Sequence, residues 1–292
     1  MTPDRLTAEL LRGMPLPQPK EGSKDHRGSV LVIAGSVEVP GAALLAANAA
    51  LRAGAGKLQV ATVRSAAMNL AMAVPEAMVI GLDETREGGI EHRAALPRLR
   101  SAAEKVDAVM IGAGMVECEE TTALTAALCR EASSAFVLDA AALCDLRPHS
   151  EAIRACAGSV VITPHAGEMA QFLEKSRDEI EADPLGAARE TSALLQAVVV
   201  MKGAKTHIVS SDGTAWLFSG GTVGLATSGS GDVLAGLIVG LLARGADPVT
   251  AASWGVVLHG EAGQRLQKRE GELGFLARDL AAEFPPILQE IA

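Results

Sequence analysis

The sequence predicts an α/β protein with a central, mostly parallel sheet, helices on both faces of that sheet, and a C-terminal β-hairpin followed by helices. Two observations support this prediction. Short, continuous apolar segments alternate with helical segments along most of the chain, which is typical of strands buried on both faces of a parallel sheet. Near residue 212, an Asp-Gly pair separates two β-type segments, and this pair is a common hairpin turn.

The elements follow one another in a regular order, and the chain from Asp232 onward is mostly helical in period. The predicted strands are 30–34, 58–63, 78–82, 108–112, 136–139, 160–163 and 198–201, and the hairpin pairs 206–210 with 214–218. The predicted helices before that point are 41–53, 91–104, 119–132 and 166–174. Ligands of such sheets bind beyond the carboxyl ends of the strands, so residues that directly follow strands are the first candidates for a site.

Residues 1–29 are rich in proline and charge, and Pro15, Pro17 and Pro19 interrupt any helix there. We interpret this segment as an N-terminal arm. No linker, repeat or low-complexity tract divides the rest of the chain. We therefore expect residues 1–292 to form a single domain.

Composition excludes several classes of function. Aromatic residues make up 2 % of the chain and the formal net charge is −9, so a nucleic-acid or anionic-membrane partner is not expected. No apolar stretch reaches the roughly 18 residues of a membrane span, and the first twelve residues lack the apolar core of a signal peptide. The four cysteines show no paired or zinc-binding spacing. These features predict a cytoplasmic protein.

The most informative segment is Thr227–Gly236, in which small residues precede one carboxylate and an apolar helix follows. Gly229, Ser230 and Gly231 allow a ligand to approach the backbone closely, and the amides at a helix start form an anion hole. Asp232 is the only charged residue in the stretch 213–243. It is either a helix cap, as Asp often is, or a general base for a substrate hydroxyl. The flanking glycines favour the second interpretation.

Two further segments follow predicted strands. His165 and Glu168 lie where a ligand at the strand ends would bind, although a surface turn that opens a helix is the alternative. Lys202 follows three valines and a methionine, so its ammonium group is expected at the sheet edge, where it could neutralise a phosphate. A solvated loop lysine is the alternative there.

Weaker signals are Gly112 and Gly114, which suggest a tight turn, and Asp139, which is a strand-end carboxylate or the cap of a short helix. His259 lies in an otherwise apolar helix, and we expect it to be a packed core histidine. Trp216 and Trp254 are interpreted as packing residues.

Taken together, these segments resemble the NAD(P)H-hydrate dehydratase family over nearly the whole chain. The matching blocks are VLVIAGS (30–36), GAALLAANAALRAGAG (41–56), TPHAGEMAQFL (163–173), VVVMKGAKTHI (198–208), GLATSGSGDVLAGLIVGLLARG (224–245), HGEAGQ (259–264) and GELGFLARDL (271–280). The resemblance implies a ribokinase-like fold and an ADP-dependent lyase that repairs hydrated NADH and NADPH. In that chemistry the nucleotide phosphorylates the ring hydroxyl and phosphate is then eliminated, which gives NAD(P)H, AMP and phosphate, with Mg²⁺ as cofactor.

The resemblance also implies roles for individual residues, with Asp232 as the base and as a substrate contact. The other implied substrate contacts are Ala42, Gly114 and His165, and the implied nucleotide contacts are Lys202, Gly203, Ala204, Lys205, Thr206 and Gly231. It specifies no metal ligand. It implies hydrated NADH or NADPH and an adenine nucleotide as binding partners, and a homo-oligomer, often a tetramer. Because 292 residues correspond to the dehydratase alone, a separate NAD(P)H-hydrate epimerase is an expected functional partner.

Two other functions stay open at the sequence level. A small-molecule kinase of the same fold, of the hydroxyethylthiazole or pyridoxal type, shares the Gly-x-Gly-Asp anion hole, although the blocks 41–56 and 163–173 favour the dehydratase. A non-catalytic nucleotide-binding protein is suggested by Ala141, which stands where the family often has a second carboxylate. The retained Asp232 argues against that last possibility.

Overall fold

The computed structural model describes residues 2–18 and 24–291, and for Asp25 only the backbone; Pro19 of the proposed arm lies outside the described residues. Ten strands form one sheet in the order β1-β10-β9-β8-β7-β6-β5-β2-β3-β4. The strands are β1 (Asp4–Arg5), β2 (Ser29–Ile33), β3 (Lys57–Val63), β4 (Ala77–Leu82), β5 (Ala108–Ile111), β6 (Ala135–Leu138), β7 (Val160–Ile162), β8 (Val198–Met201), β9 (Thr206–Val209) and β10 (Ala215–Phe218).

Twelve α-helices accompany the sheet among the described residues. They are α1 (Ala8–Arg12), α2 (Gly41–Arg52), α3 (Arg64–Ala73), α4 (His92–Ala103), α5 (Glu119–Glu131), α6 (Ser150–Arg154), α7 (Ala166–Leu173), α8 (Arg177–Ala182), α9 (Pro184–Leu195), α10 (Ser230–Ala243), α11 (Pro248–Glu270) and α12 (Ala277–Ile291). Every predicted strand and helix is confirmed to within two residues at each end. The sequence analysis missed β1, α1, α3, α6, α8 and α9.

Most neighbouring strands are parallel, as predicted, but the antiparallel part is larger than one hairpin. Strand β9 runs antiparallel to both β10 and β8, so β8, β9 and β10 form a meander. The parallel order reverses between β2 and β5, which lie side by side although they are separated along the chain. Loops that leave these two strands diverge there, which makes the carboxyl-terminal edge of the sheet the expected location of a ligand crevice.

Both faces of the central strands are buried, and this explains why they are continuous apolar segments. Alternate residues of β2 belong to two separate clusters, with Val30 and Val32 in one and Leu31 and Ile33 in the other. Helices α2, α10, α11 and α12 cover the first face, and α4, α5, α7 and α9 cover the second. The core is built almost entirely from aliphatic side chains, as the composition predicts.

Helix α10 packs against α2 at unusually short distance. A Cβ atom at Gly236 would lie 2.3 Å from the Ala46 carbonyl oxygen, and one at Gly240 would lie 2.6 Å from the Ala50 oxygen. These glycines therefore let the two helix backbones touch, which fixes the position of α10 relative to the sheet. Within residues 2–18 and 24–291, no helix is both long and apolar enough to cross a bilayer.

Candidate active site

Three polar side chains gather at the carboxyl-terminal edge of the sheet, because β6, β7 and β8 are parallel neighbours that end side by side. Asp139, Thr163 and Lys202 directly follow these strands. The Thr163 hydroxyl donates to Asp139 Oδ1 over 2.6 Å, and Lys202 Nζ lies 2.9 Å from the same oxygen. Asp139 is only 2 % exposed, so the lysine neutralises a carboxylate that would otherwise be buried without a counter-charge.

Lys202 is fixed at both ends. Its backbone amide donates to the Pro164 carbonyl oxygen over 2.8 Å, and its ammonium group also lies 3.8 Å from Glu168 Oε2. Burial alone would lower the Lys202 pKa, but the carboxylates of Asp139, Glu168 and Asp232 outweigh it and the pKa is raised. The alternative interpretation of Lys202 as a solvated loop lysine is wrong, because its side chain is 20 % exposed and ion-paired.

Helix α10 begins beside this ammonium group. Gly229 precedes the helix in a left-handed conformation, with φ of 86°, and a Cβ there would lie 2.4 Å from Leu45 Cδ1. A Cβ at Gly231 would lie 3.4 Å from Lys202 Nζ. None of the described side chains caps the first turn. The Ser230 amide donates to the Thr227 carbonyl oxygen over 3.2 Å, whereas among the described residues the amides of Gly231 and Asp232 have no partner, as is usual for the unsatisfied amides of a helix start. The site thus combines amide donors, a fixed lysine and a glycine that keeps the approach open.

Asp232 occupies the third position of α10, so the interpretation of this residue as the helix cap is wrong; Gly229 holds that position. Burial and the nearby Asp139 carboxylate raise the Asp232 pKa to about 6, Lys202 acts in the opposite direction, and Glu168 adds a smaller increase. A carboxylate with this pKa takes up a proton more readily than an exposed aspartate does and is still mostly ionised at neutral pH. It is therefore well suited to act as a general base.

His165 and Glu168 open helix α7 as a reciprocal cap, so the alternative of a turn that opens a helix is correct for them. His165 Nδ1 accepts hydrogen bonds from the amides of Gly167 and Glu168, and Glu168 Oε2 accepts one from the His165 amide. The ring remains 59 % exposed on its other side. Burial raises the Glu168 pKa and the Asp139 carboxylate adds to this, whereas Lys202 opposes both.

Ala42 and Gly114 are brought together at the point where the strand order reverses. Gly114 has a φ of 61°, and a Cβ there would lie 2.5 Å from Ala42 Cβ. A cavity of about 330 Å³ opens beside them between α2 and α3, and Gly41 and Leu44 form part of its wall. Ala42 and Leu45 belong to the same helix, and Leu45 contacts Gly229, so α2 connects this region to the start of α10.

The remaining predicted nucleotide residues lie on one loop. Gly203, Ala204 and Lys205 are exposed between β8 and β9, and Thr206 begins β9. This loop leaves the sheet edge directly after Lys202. The structure thus brings Lys202, Asp232 and the start of α10 together, and it places the 203–205 loop beside them at the same sheet edge.

The sequence analysis underestimated two residues. Asp139 was considered as a helix cap, but among the described residues it caps no backbone amide, and its carboxylate instead binds Thr163 and Lys202. His259 was expected to be only a packed core residue. Its Nε2 atom lies 3.0 Å from both the hydroxyl and the carbonyl oxygen of Ser230. The clue in the sequence was a histidine directly after the apolar segment 254–258 of α11.

The fold defines a ribokinase-like α/β protein, in which an uncapped helix start lies beside a partly buried lysine. It is similar over its full length to the crystal structure of the ADP/ATP-dependent NAD(P)H-hydrate dehydratase of Bacillus subtilis co-crystallised with ATP and Mg²⁺, with a TM-score of 0.84, 29 % identity and complete coverage of both chains. The chain belongs to the NAD(P)H-hydrate dehydratase family, whose model matches residues 30–286.

Two sequence relatives define its position within the family. The chain is 47 % identical over 289 residues to the ADP-dependent (S)-NAD(P)H-hydrate dehydratase of Xanthomonas campestris pv. campestris, covering 98 % of this chain and 96 % of that protein. It is 37 % identical over 286 residues to the bifunctional NAD(P)H-hydrate repair enzyme Nnr of Moorella thermoacetica. There the match covers 98 % of this chain but only 54 % of the relative.

Proposed function

We propose that this protein is an ADP-dependent (S)-NAD(P)H-hydrate dehydratase. In this reaction the terminal phosphoryl group of ADP is transferred to the hydroxyl of the hydrated nicotinamide ring. The ring then loses a proton and phosphate, and the double bond re-forms, so the products are NAD(P)H, AMP and phosphate. Phosphorylation is needed because hydroxide is a poor leaving group and phosphate is a good one.

The observation that carries this proposal is the Asp232 carboxylate, with its raised pKa, in the uncapped first turn of α10 and close to Lys202. Asp232 accepts the proton of the ring hydroxyl as that oxygen attacks the terminal phosphorus. Within the predicted anion hole, the Gly231 amide stabilises the charge on the transferred group, and Gly229 and Ser230 form the turn that presents it. Lys202 neutralises a phosphate of the nucleotide, and AMP is the leaving group of the transfer. These residues are positioned before substrate binds.

The remaining roles are distributed along the sheet edge. The segment Lys202–Thr206 binds the adenine nucleotide, with Gly231 as a further contact. Ala42, Gly114 and the exposed face of His165 bind the hydrated dinucleotide. In this arrangement both ligands meet at the first turn of α10, which brings the ring hydroxyl next to the terminal phosphorus, as direct transfer of the phosphoryl group requires.

The residues present fit a bound Mg²⁺. Within the described part of the chain, no cluster of three or more His, Cys, Asp or Glu side chains is arranged to hold a metal ion. Mg²⁺ on a nucleotide usually takes one or two carboxylates and obtains its other ligands from phosphates and water. Asp139, Glu168 and Asp232 supply carboxylate oxygens of the required kind, and the ion would neutralise phosphate charge during transfer.

Three further properties are part of the proposal. The enzyme acts in the cytoplasm, it forms a homo-oligomer such as a tetramer, and it works with a separate NAD(P)H-hydrate epimerase that converts the other epimer of the substrate. Light scattering of the purified protein tests the second property. Adding the epimerase to an exhausted reaction tests the third, because regeneration of NADH should resume.

The experiment that tests the main function mixes the protein with hydrated NADH, Mg²⁺ and either ADP or ATP, and follows the absorbance of reduced nicotinamide. We expect regeneration of NADH that depends on the nucleotide and is faster with ADP, together with formation of AMP. Reactions without nucleotide and without protein are the controls. No regeneration, combined with ATP-dependent phosphorylation of hydroxyethylthiazole or pyridoxal, would instead identify a kinase of this fold. Nucleotide binding without any turnover would identify a non-catalytic protein.

A further inference from the structure

The contact between His259 and Ser230 joins helix α11 to the first residue of α10. The imidazole Nε2 lies 3.0 Å from the Ser230 hydroxyl and 3.0 Å from the Ser230 carbonyl oxygen. The residues on either side of His259 in α11, Leu258 and Gly260, are both buried. A polar ring at such a position needs a partner, and the start of α10 provides it.

The two contacts distinguish the tautomers of the ring. A carbonyl oxygen only accepts hydrogen bonds, so a bond to it requires a proton on Nε2, which the carbonyl and hydroxyl oxygens of Ser230 then share. A ring protonated on Nδ1 would instead accept from the hydroxyl and leave the carbonyl without this donor. Burial lowers the His259 pKa to about 4, the Ser230 carbonyl raises it, and Lys202 lowers it further. The ring is therefore neutral at physiological pH. A charged imidazole would repel Lys202 and the partial positive charge of the α10 N-terminus.

The same contact determines the direction of an amide. The Ser230 carbonyl and the Gly231 amide belong to one planar, trans peptide group, so fixing the oxygen on one side fixes the N–H direction on the other. Gly229, the residue before Ser230, is in a left-handed conformation with few steric restraints of its own. Two backbone hydrogen bonds also hold this turn, from the Ser230 amide to the Thr227 oxygen over 3.2 Å and from the Val233 amide to the Gly229 oxygen over 3.1 Å. The His259 contact adds a restraint at a helix end, where fraying begins.

We propose that His259 is a positioning residue for the anion site: its Nε2–H holds the Ser230 carbonyl oxygen and thereby aims the Gly231 amide at the phosphate of the nucleotide. This inference rests on the proposed function, in that it takes the start of α10 as the phosphate site. His259 itself touches neither ligand. It acts through the backbone of residues 230 and 231.

Three variants separate this role from simple packing. His259→Leu fills the space but removes the donor, His259→Gln retains an N–H close to the position of Nε2, and His259→Asn carries an N–H that is too short to reach it. Ser253→Ala on the same helix is the matched control, because Ser253 is fully buried and its hydroxyl has no hydrogen-bond partner among the described residues. Each variant is examined for thermal stability, for ADP affinity by calorimetry, and for kcat and KM.

We expect His259→Leu and His259→Asn to weaken ADP binding by about fivefold or more and to lower kcat by about tenfold, the size of effect that a displaced hydrogen-bond donor produces. The KM for hydrated NADH should change less than about twofold, and His259→Gln should recover most of both losses. Equal losses in the Gln and Leu variants, or normal ADP affinity per folded molecule in the Leu variant, would overturn the proposal. If His259→Leu does not fold, the Gln and Asn variants are compared instead. Higher ADP affinity and kcat in the Gln variant support the proposal, and equal losses in the two variants overturn it.

The two proposals fail in distinguishable ways. If the wild-type protein binds ADP but does not regenerate NADH, the proposed function fails while the affinity measurements still test His259. If the wild-type protein repairs hydrated NADH and all His259 variants match it, only the positioning role fails.

Discussion

The first turn of α10 and the remainder of that helix have opposite characters. The body is buried, aliphatic and pressed against α2 through Gly236 and Gly240, whereas the first turn holds a left-handed glycine, an uncapped set of amides and a carboxylate with a raised pKa. The body resembles a stability element and the first turn a functional one. We infer that close packing of the helix body stabilises a first turn whose uncapped amides and partly buried carboxylate are energetically unfavourable by themselves.

The largest expected effect tests the first turn. Asp232→Asn should lower kcat by roughly 10³-fold, because it removes the base but leaves the helix amides in place. ADP affinity should change less than about threefold. Steady-state kinetics and calorimetry give both values, with Asp212→Asn in the hairpin turn as the matched control. Near-normal turnover of the Asp232 variant would show that the first turn does not supply the base.

The next effect tests the body of the helix. Gly236→Val should destabilise the protein by more than about 3 kcal/mol, because the new side chain would collide with the Ala46 backbone and push the two helices apart. Urea unfolding measures this change. Gly41→Ala is the control, since a Cβ there meets no atom within 4 Å, and it should change stability by less than about 1 kcal/mol. A small effect at Gly236 would mean that α10 is not held by close packing.

The third effect measures how unfavourable the first turn is. The Asp232 pKa is about 6 in the folded protein, against 3.8 for an ordinary aspartate, so between these pH values the folded state binds more protons than the unfolded state. Stability is therefore lost as the pH rises through this window. That loss amounts to at most about 3 kcal/mol.

Asp232→Asn removes the titrating carboxylate. The variant should match the wild type near pH 4 and exceed its melting temperature by several degrees above pH 6, at about 2 °C per kcal/mol or more. Melting curves across this range measure the difference. A variant that is less stable than the wild type at pH 8 would show that the ionised Asp232 carboxylate does not destabilise the folded protein.

The smallest expected effect concerns the lysine beside the first turn. Removing Lys202 alone would leave Asp139 buried and unpaired, which typically costs about 3–5 kcal/mol, so both members are replaced in the double variant Lys202→Met/Asp139→Asn. It should stay folded and raise the KM for ADP by about tenfold, through loss of the Lys202 contact with the phosphate and of one carboxylate near the proposed Mg²⁺. The exposed pair Lys175 and Glu190, joined at 2.5 Å, is the control when replaced by Met and Gln. An unchanged KM for ADP would remove Lys202 from the nucleotide site.

Local patterns in the sequence were sufficient to predict the main strands, the hairpin and the start of α10. The apolar strand segments, the Asp-Gly turn and the glycine-rich start of α10 each express a local physical requirement, and all three predictions were confirmed. The missed elements depend on distant contacts or weak patterns. Strand β1 has only two residues and exists through its pairing with β10, in which Asp4 lies opposite Trp216, far away along the chain.

In the candidate site, too, individual residues could be predicted from local sequence, whereas their contacts with distant residues could not. Asp232 and Lys202 stand out locally, as isolated charges beside apolar stretches. The partners of Asp139 could not be predicted, because Thr163 and Lys202 are 24 and 63 residues away along the chain. The contact of His259 with Ser230 likewise spans 29 residues. Only the register of the parallel strands and the packing of α11 on α10 bring these groups together.

The central claim is that the first turn of α10 binds the terminal phosphate of the nucleotide next to Asp232. A crystal structure of the protein with ADP and Mg²⁺ tests it most directly. We expect the terminal phosphate within hydrogen-bond distance of the Gly231 amide and of Lys202 Nζ, with the adenosine over the loop 203–206. A nucleotide whose terminal phosphate lies away from this turn, with Asp232 facing only solvent, would contradict the account.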